Sequence, residues 1–566
     1  MYITNYRRRF NAVFILFFII FVICILRLLY IQFFRSQYLN ALANKQHNLF
    51  VEIEPRRGAI YDSTMHPLAI NISVDSVYAS PKDMQEDKKD NAARRLSSIL
   101  YLDYDSVREK LSRKKSFVWV ARKITPEQSL KLRAEKIKGI GLIKETKRCY
   151  PNSYLAAHVV GFAGLDNSGL EGIEAKCDQY LKGQPGWAIF LRDARQNKLD
   201  FGQEMMLPKD GNDVILTIDE VIQYIAEREL DKVFKHYRAN GASIIVMDPH
   251  TGAILALANR PSYDLNNYSK SSKDDIRNRA IADMFEPGSV FKIVTACASL
   301  EENKVKETDR FYCENGAYYI AGHILHDHTS HGWLAFSEVI EQSSNIGTCK
   351  AAQVLGAPLL YRYIKLFGFG NKLGIDISGE ISGMVRDLRV WSKTSITAVP
   401  MGQEVGVTAL QLVSAISVIA NGGQLMKPYL IKEIRDKYAE TLKSFSPVLI
   451  RKVISIDTAV RVRNILTGVV EKGTGTLAKM DSVKAAGKTG TAQKIEGRGY
   501  SHSKFMASFV GFAPAEDPKI AIVVVVDEPH GSYYGGVVSA PVFKKVAEDS
   551  LKYLNTKQLP VGLEAK

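Results

Sequence analysis

A long apolar stretch near the N-terminus constrains this chain more than any other feature. Residues 12–26 contain no polar side chain, and with Arg27 and Gln32 tolerated the stretch reaches Phe34, a total of 23 residues. A helix of that length can cross a bilayer. Arg7, Arg8 and Arg9 precede it, so the positive-inside rule places the N-terminus in the cytoplasm. The sequence predicts a cytoplasmic tail over 1–9, a transmembrane anchor over 10–34 and an extracytoplasmic remainder.

A cleaved signal peptide is the alternative interpretation of the same stretch. Ala41-Leu42-Ala43 has the small-residue pattern of a cleavage site. This site lies well beyond the apolar run, and the run is longer than the hydrophobic region of a signal peptide. We therefore favour an uncleaved anchor.

The positive charge of the chain is concentrated in two short stretches. The 566 residues carry a net charge of +15, of which Arg7 to Arg9 supply three. Residues 107–148, the basic segment, hold fourteen Lys and Arg against four acids, a net +10. Such an excess suits nucleic acid, an anionic membrane surface or an acidic polymer. Because the basic segment follows the anchor, nucleic acid is not an expected partner.

The six cysteines do not indicate a metal site. They form no C-x-x-C pair and no Cys/His cluster with the spacing of zinc ligands. We therefore expect no structural metal, and the disulfide state stays open.

Residues 35–210 read as a structural or interaction module that ends near Pro208. Residues 118–120 and 140–143 resemble short strands, and residues 129–138 resemble a charged helix. No motif in this part carries chemistry by itself.

The pattern of residues 211–566 predicts one α+β domain. Asp219 is placed to cap a helix, and much of the sequence between residues 260 and 505 is helical in pattern. Two strand pairs lie near the ends of the domain, at 242–248 with 253–259 and at 505–513 with 520–527. This order predicts an antiparallel sheet flanked by helices.

Ser289 and Lys292 have the spacing of a nucleophile and its base. Glu286-Pro287-Gly288 breaks the chain before them, and the apolar residues 293–298 predict a buried helix that begins at Ser289. Burial lowers the pKa of a lysine, so that its neutral amine can take a proton from a serine. S-x-x-K is not specific by itself. The same spacing occurs in polar surroundings at Ser112/Lys115 and Ser501/Lys504.

Two further motifs follow along the chain. Ser343-Ser344-Asn345 lies between two helical patterns, where polar residues most often serve as caps, but Ser343 could also shuttle a proton and Asn345 could hold an amide. Lys488-Thr489-Gly490-Thr491 lies on a predicted strand, and its lysine and hydroxyls suit a carboxylate. The nearby run Gly473-Thr474-Gly475-Thr476 is interpreted as a chance Gly/Thr pattern.

The ordered set S-x-x-K, S-x-N and K-T-G is shared by β-lactamases and penicillin-binding proteins. The whole chain resembles a class B penicillin-binding protein, a monofunctional peptidoglycan transpeptidase, and most resembles the division-specific septal branch. Ala409 replaces a proline that is usual in this family. The stretches that carry the resemblance are 57–62, 169–174, 285–289, 342–345, 402–411, 487–493 and 533–536.

The resemblance implies a fold and a set of roles. It implies an elongated mixed α/β pedestal of the dimerisation type over 35–210 and a transpeptidase domain over 211–566. Ser289 would attack the carbonyl between two D-alanines of a stem peptide, with Lys292 as base and Ser343 and Lys488 as proton relay. Backbone N–H groups of Ser289 and Thr491 would form the oxyanion hole. Substrate would be bound by Asn345, Lys488, Thr489, Gly490 and Thr491.

The resemblance also implies partners and a location. A β-lactam would acylate Ser289, and no cofactor or metal would be needed. A membrane-embedded glycan polymerase and other cell-division proteins would be partners at the bacterial cytoplasmic membrane. The catalytic domain would lie outside the cytoplasm.

Three other functions share some of these features. An elongation-type transpeptidase has the same motifs. A β-lactamase also has them, but it needs a group that activates the deacylating water, and the sequence contains no E-x-x-L-N-like stretch. A non-catalytic sensor or scaffold would keep the fold and act through the N-terminal module.

Overall fold

The computed structural model describes residues 3–115, 117–192, 198–497 and 499–558. The helices in this part of the chain are α1 Ile3–Phe34, α2 Ser36–His47, α3 Glu86–Leu100, α4 Tyr104–Ser112, α5 Pro126–Glu135, α6 Ala157–Val160, α7 Gly172–Lys176, α8 Asp178–Leu181, α9 Glu220–His236, α10 Lys273–Ile276, α11 Arg279–Ala282, α12 Lys292–Glu301, α13 Phe336–Glu341, α14 Asn345–Leu355, α15 Ala357–Leu366, α16 Ser395–Ala398, α17 Ala409–Ala420, α18 Ile456–Glu471, α19 Gly535–Val538 and α20 Ala540–Gln558.

The strands are β1 Asn48–Ile53, β2 Ile60–Tyr61, β3 Pro67–Ala79, β4 Val118–Ala121, β5 Ile140–Cys149, β6 Gly186–Arg192, β7 Lys198–Met206, β8 Asp213–Leu216, β9 Gly241–Met247, β10 Ile254–Arg260, β11 Arg310–Tyr312, β12 Ala317–Ile320, β13 His323–His326, β14 Trp333–Ala335, β15 Met384–Val385, β16 Val405–Gly406, β17 Gln424–Met426, β18 Ile431–Arg435, β19 Thr441–Ser444, β20 Leu449–Lys452, β21 Ala486–Glu496, β22 Gly499–Ala513 and β23 Ile520–Asp527.

The predicted apolar segment forms the long helix α1. An 18-residue window within Tyr6–Phe34 has a mean hydropathy of 3.2, and none of that window is buried inside the protein. This helix is therefore long and apolar enough to span a membrane, as a single-pass anchor requires.

The chain forms two compact units, and each unit combines two separate stretches of sequence. One unit combines residues 1–56 with 183–210, and the other combines residues 57–182 with 211–566. In the first unit, β1, β6 and β7 form an antiparallel sheet.

Within the second unit, a seven-stranded sheet joins distant parts of the sequence. Strands β2 to β5 come from residues before 150, whereas β8, β18 and β19 come from residues after 212. The predicted short strands at 118 and 140 are confirmed as β4 and β5. The predicted charged helix lies at Pro126–Glu135 rather than 129–138, because Thr125 and Gln128 form a capping box at its start and Lys136 ends it in a left-handed conformation.

The two motifs of the N-terminal half meet in a buried ion network. The carboxylate of Glu174 accepts hydrogen bonds from Arg57 Nε at 2.7 Å and from Arg148 Nε at 2.6 Å. Arg57 and Glu174 are almost inaccessible to solvent. Buried charges of this kind require their partners, so the network ties together stretches that are more than 100 residues apart.

The five-stranded antiparallel sheet of the second unit positions the candidate site. Its order is β10-β9-β23-β22-β21, which confirms both predicted strand pairs and leaves β21 at one edge. Helices α9 and α20 pack on one face, while α12 and α17 belong to the core on the other face. Asp219 caps α9 as predicted, since its carboxylate accepts hydrogen bonds from the backbone N–H groups of Val221 and Ile222.

Candidate active site

Ser289 lies in a tight turn immediately before the buried helix α12. Gly288–Phe291 forms a single 3₁₀ turn, and α12 begins only at Lys292, so the prediction that the α-helix starts at Ser289 is wrong by three residues. Gly288 has a φ of +56°, a conformation that favours glycine and explains the shape of this turn. Every residue from Lys292 to Leu300 is buried, as the apolar pattern predicted.

The Lys292 amine lies at the centre of a polar cluster. Its Nζ atom donates to the carbonyl oxygen of Ser343 at 2.6 Å, to Ser343 Oγ at 3.2 Å and to Asn345 Oδ1 at 2.8 Å. Among the described residues, the Ser289 hydroxyl has no hydrogen-bond partner. The Lys292 side chain therefore links the S-x-x-K motif to the S-x-N motif.

Both lysines of the candidate site are fully buried, and burial disfavours their charged forms. Burial lowers the pKa of Lys292 to about 7, even though the negative charge of Asp327 acts in the opposite direction. Burial, and then the nearby charge of Lys292, hold the pKa of Lys488 well below its usual range. At neutral pH the pair thus favours a state in which at least one of the two amines is neutral.

The Ser343 hydroxyl bridges the two lysines. It accepts from Lys488 Nζ at 2.9 Å and from Lys292 Nζ at 3.2 Å. Ser343 itself has a φ of +59°, unusual for a residue with a side chain, at the turn between α13 and α14. The result is a continuous hydrogen-bonded row of amine, hydroxyl and amine, which is suited to moving a proton.

The edge strand β21 carries the third motif and packs against the turn that holds Ser289. A Cβ atom on Gly490 would lie only 2.7 Å from Val290 Cγ2 and 2.9 Å from the Pro287 carbonyl oxygen. Only glycine therefore permits this approach. Thr489 is buried beside Lys488, and the Thr491 hydroxyl accepts a hydrogen bond from the backbone N–H of Gly535 at 3.0 Å. The geometry brings all eight predicted site residues, from three stretches of sequence, into one region.

Asp327 is a site residue that the sequence did not reveal. Its carboxylate accepts hydrogen bonds from Ser344 Oγ at 2.6 Å and from the backbone N–H groups of Asn345 and Ile346. It therefore holds the start of α14 and fixes Asn345, which contacts Lys292. No local sequence signal indicates this role, because Asp327 lies 17 residues before its nearest partner.

Thr474 is the second residue that was missed. Its hydroxyl lies 2.8 Å from that of Thr489. The Gly/Thr run that contains it was interpreted as a chance pattern, but the fold places it directly beside the third motif. Its proximity depends on packing of the segment after α18 against β21 and could not be read from the pattern itself.

One cluster of metal-ligand type occurs in the described part of the chain, away from these motifs. Asp62, His66 and Glu220 bring ligand atoms within 4.8 Å of one another. The Asp62 carboxylate already accepts hydrogen bonds from the backbone N–H groups of Thr64, His66 and Glu220. These contacts explain the cluster as a structural link between a turn and the start of α9.

Comparison with known proteins agrees with this geometry. Residues 242–548 match the family described as penicillin binding protein transpeptidase domain, and residues 52–216 match the penicillin-binding protein dimerisation domain. The chain is a class B penicillin-binding protein. Stage V sporulation protein D of Bacillus subtilis is 36% identical over 100% of this chain and 89% of its own length. Peptidoglycan D,D-transpeptidase FtsI of Escherichia coli K12 is 31% identical over 89% of this chain and 84% of its own.

Solved structures agree with the family assignment. Penicillin binding protein 3 of Mycobacterium tuberculosis, in complex with aztreonam, has a TM-score of 0.70 and 26% identity, and the match covers 91% of this chain and 100% of that structure. This class B penicillin-binding protein therefore shares both the domain content and the fold of its relatives.

Proposed function

We propose that this class B penicillin-binding protein is a serine-type D,D-transpeptidase that cross-links peptidoglycan stem peptides through an acyl-enzyme on Ser289. The observation that carries the proposal is the Ser343 hydroxyl held between two buried lysines, beside the turn of Ser289. This arrangement supplies a base, a proton relay and a nucleophile within one desolvated region.

Acylation begins when Lys292 is a neutral amine. An ammonium has three N–H donors, which match the three acceptors now around Lys292, whereas the neutral amine has two donors and a lone pair. The contact to Ser343 Oγ is the longest of the three. We infer that this contact is released, so that the lone pair takes the proton of Ser289 while its oxygen bonds to the substrate carbonyl carbon.

The acyl-enzyme forms when the bond between the two terminal D-alanines breaks. The proton that Lys292 took from Ser289 passes through the Ser343 hydroxyl, which Lys488 also contacts, to the leaving amine. D-alanine then departs with a neutral amine, and Lys292 is again neutral. Backbone N–H groups of Ser289 and Thr491 stabilise the oxyanion, and a single donor of this kind is worth about 3 kcal/mol. An amine from a neighbouring stem peptide then attacks the ester, which forms the cross-link and frees Ser289.

We infer that substrate is recognised at β21, the edge strand of the five-stranded sheet. An extended stem peptide can pair with an exposed strand edge through its main chain. The hydroxyls of Thr489 and Thr491, next to Lys488, suit the terminal carboxylate, and the Asn345 amide orients the peptide. Gly490 keeps the strand close to the turn of Ser289.

The biological setting is part of the same proposal. The likeness to FtsI supports a role in septal wall synthesis, with the N-terminus in the cytoplasm and the catalytic domain outside. A membrane-embedded glycan polymerase and other division proteins would be its partners. The greater identity to a stage V sporulation protein favours a second candidate, namely wall synthesis during spore formation.

Covalent labelling tests the chemistry. A fluorescent penicillin should acylate the wild-type chain and persist, whereas Ser289→Ala should remain unlabelled. Rapid loss of the label would instead identify a β-lactamase. Ser289→Ala should also lower cross-linking in a cell, and unchanged cross-linking would favour a scaffold.

Localisation tests the biological setting. A tagged copy should form a ring at midcell during division. Patches along the lateral wall would favour elongation, and accumulation only in sporulating cells would favour the second candidate.

A further inference from the structure

The fold neutralises part of the positive charge of the basic segment. Several of its arginines pair with acids that lie outside the segment, so they serve the structure rather than a partner. These pairs are Arg108 with Asp90, Arg122 with Asp166, Arg133 with Asp75 and Arg148 with Glu174.

The remaining charge belongs mainly to lysines on the surface. In the part of the chain that the structure describes, no ion pair is formed by the exposed residues Lys114, Lys115, Lys136, Lys138, Lys144 and Lys147 of the basic segment. Lys88 on α3 is likewise exposed and without an ion pair there. Of these six lysines, Lys136 and Lys138 lie at a concave surface together with Lys88.

Two adjoining cavities form this concave surface, between α3 and the turn that joins α5 to β5. The smaller has a volume of about 160 Å³ and is lined by Lys88, Arg95, Lys136 and Lys138. The larger, of about 260 Å³, shares Lys136 and is lined by Arg133 as well. Five cations therefore surround the cavities. Two of the five are paired with acids, Arg95 with Glu135 and Arg133 with Asp75.

Apolar side chains also line both cavities, together with the polar Gln85 and Asn91 in the smaller one. Met84, Ala92 and Ile137 line the smaller one, and Ile137 continues into the larger one beside Leu132 and Ile140. Cations and apolar side chains in one lining suit an amphiphile with an anionic head. A phosphate on a polar polymer would leave the apolar side chains uncovered.

We propose that these cavities bind the anionic headgroup of a membrane phospholipid, with the phosphate at Lys88, Lys136 and Lys138 and the first methylene groups against the apolar lining residues. The α1 helix supports this occupant, because a membrane-anchored chain keeps its own domains at a high effective concentration near lipid. Each Lys or Arg side chain near an anionic membrane surface also adds electrostatic attraction to that surface. The proposal is independent of the chemistry at Ser289.

Lys136 allows a clean test. Its φ of +43° is one that favours glycine, so Lys136→Gly removes the charge without straining the backbone. The full chain in non-ionic detergent would be titrated with short-chain phosphatidylglycerol and, separately, with phosphatidylcholine of the same chain length. Phosphatidylglycerol should bind about tenfold more tightly or better. The triple variant Lys88→Gln/Lys136→Gly/Lys138→Gln should lose most of this difference.

A matched triple variant distinguishes lipid binding at the cavities from general attraction to the positive charge of the basic segment. Lys114→Gln/Lys115→Gln/Lys147→Gln removes the same charge outside the cavities and should change the affinity by less than about twofold. Equal losses in the two triple variants would overturn the proposal. It would also fail if inorganic phosphate or a soluble glycerol phosphate polymer bound as tightly as phosphatidylglycerol. Labelling of Ser289 by a fluorescent penicillin should be unchanged in both variants, which shows that each is folded.

Discussion

Replacing Asp327 by Asn should shift the pH dependence of acylation without removing any catalytic group. Asp327 stabilises the ammonium form of Lys292, so the loss of its charge lowers the pKa of Lys292 from its value of about 7. Asparagine can still accept the hydrogen bonds from the backbone N–H groups of Asn345 and Ile346. The local geometry should therefore survive while the charge is lost.

The magnitude follows from the spacing of the two charges. Asn345 bridges them, since its main chain donates to Asp327 and its side chain accepts from Lys292. Two opposite charges bridged by one residue interact by roughly 1–2.5 kcal/mol at an effective dielectric constant of about 20–40. The acid midpoint of the acylation profile should thus fall by about one pH unit or slightly more.

The assay is the second-order rate of labelling by a fluorescent penicillin between pH 5.5 and 9. At pH 6 the fraction of neutral Lys292 should rise from about one tenth to about one half, which makes the variant about fivefold faster. At pH 9 both proteins have a neutral amine and should agree within about twofold.

The control is Asp517→Asn, which removes an exposed carboxylate that pairs with Lys519 in the loop between β22 and β23. Its profile should match the wild type. If Asp327→Asn left the midpoint unchanged or moved it to higher pH, Lys292 would not be the base that limits acylation.

Four further predictions concern single residues. Lys292→Ala should abolish labelling of Ser289 while thermal unfolding stays cooperative, and normal labelling would rule out its role as base. Lys488→Arg should slow acylation by about 10–100-fold, because a guanidinium stays charged in this buried position and cannot give up its proton as the lysine amine can; an unaltered rate would argue against the relay. Glu174→Gln leaves the buried Arg148 without its anion, while Arg57 keeps Asp178. It should lower the free energy of unfolding by about 3–5 kcal/mol in urea titrations, whereas a change below about 1 kcal/mol would mean that the network is not needed for stability. Thr474→Val should weaken acylation by less than about tenfold through loss of one hydroxyl contact, and Thr474→Ser should restore it; equal rates in all three proteins would show that the contact is incidental.

Much of the fold is predictable because its signals are local. The apolar runs of β9, β10, β22 and β23 and the cap at Asp219 depend only on neighbours in sequence, and each of them is confirmed. The errors arose where packing changed a local preference. The turn at Gly288–Phe291 is tightened against β21, and the charged helix begins earlier because Thr125 and Gln128 cap each other.

The sequence by itself determined the anchor, the antiparallel sheet and the three motifs, since hydropathy, periodicity and spacing are properties of short stretches. Only the tertiary structure decided that Ser343 lies between Lys292 and Lys488, that Asp327 holds Asn345, and that Thr474 touches Thr489. It also decided which charges of the basic segment are neutralised. The physical reason is the same in each case: hydrogen bonds and ion pairs act over a few ångströms, and only folding brings side chains from remote positions within that range.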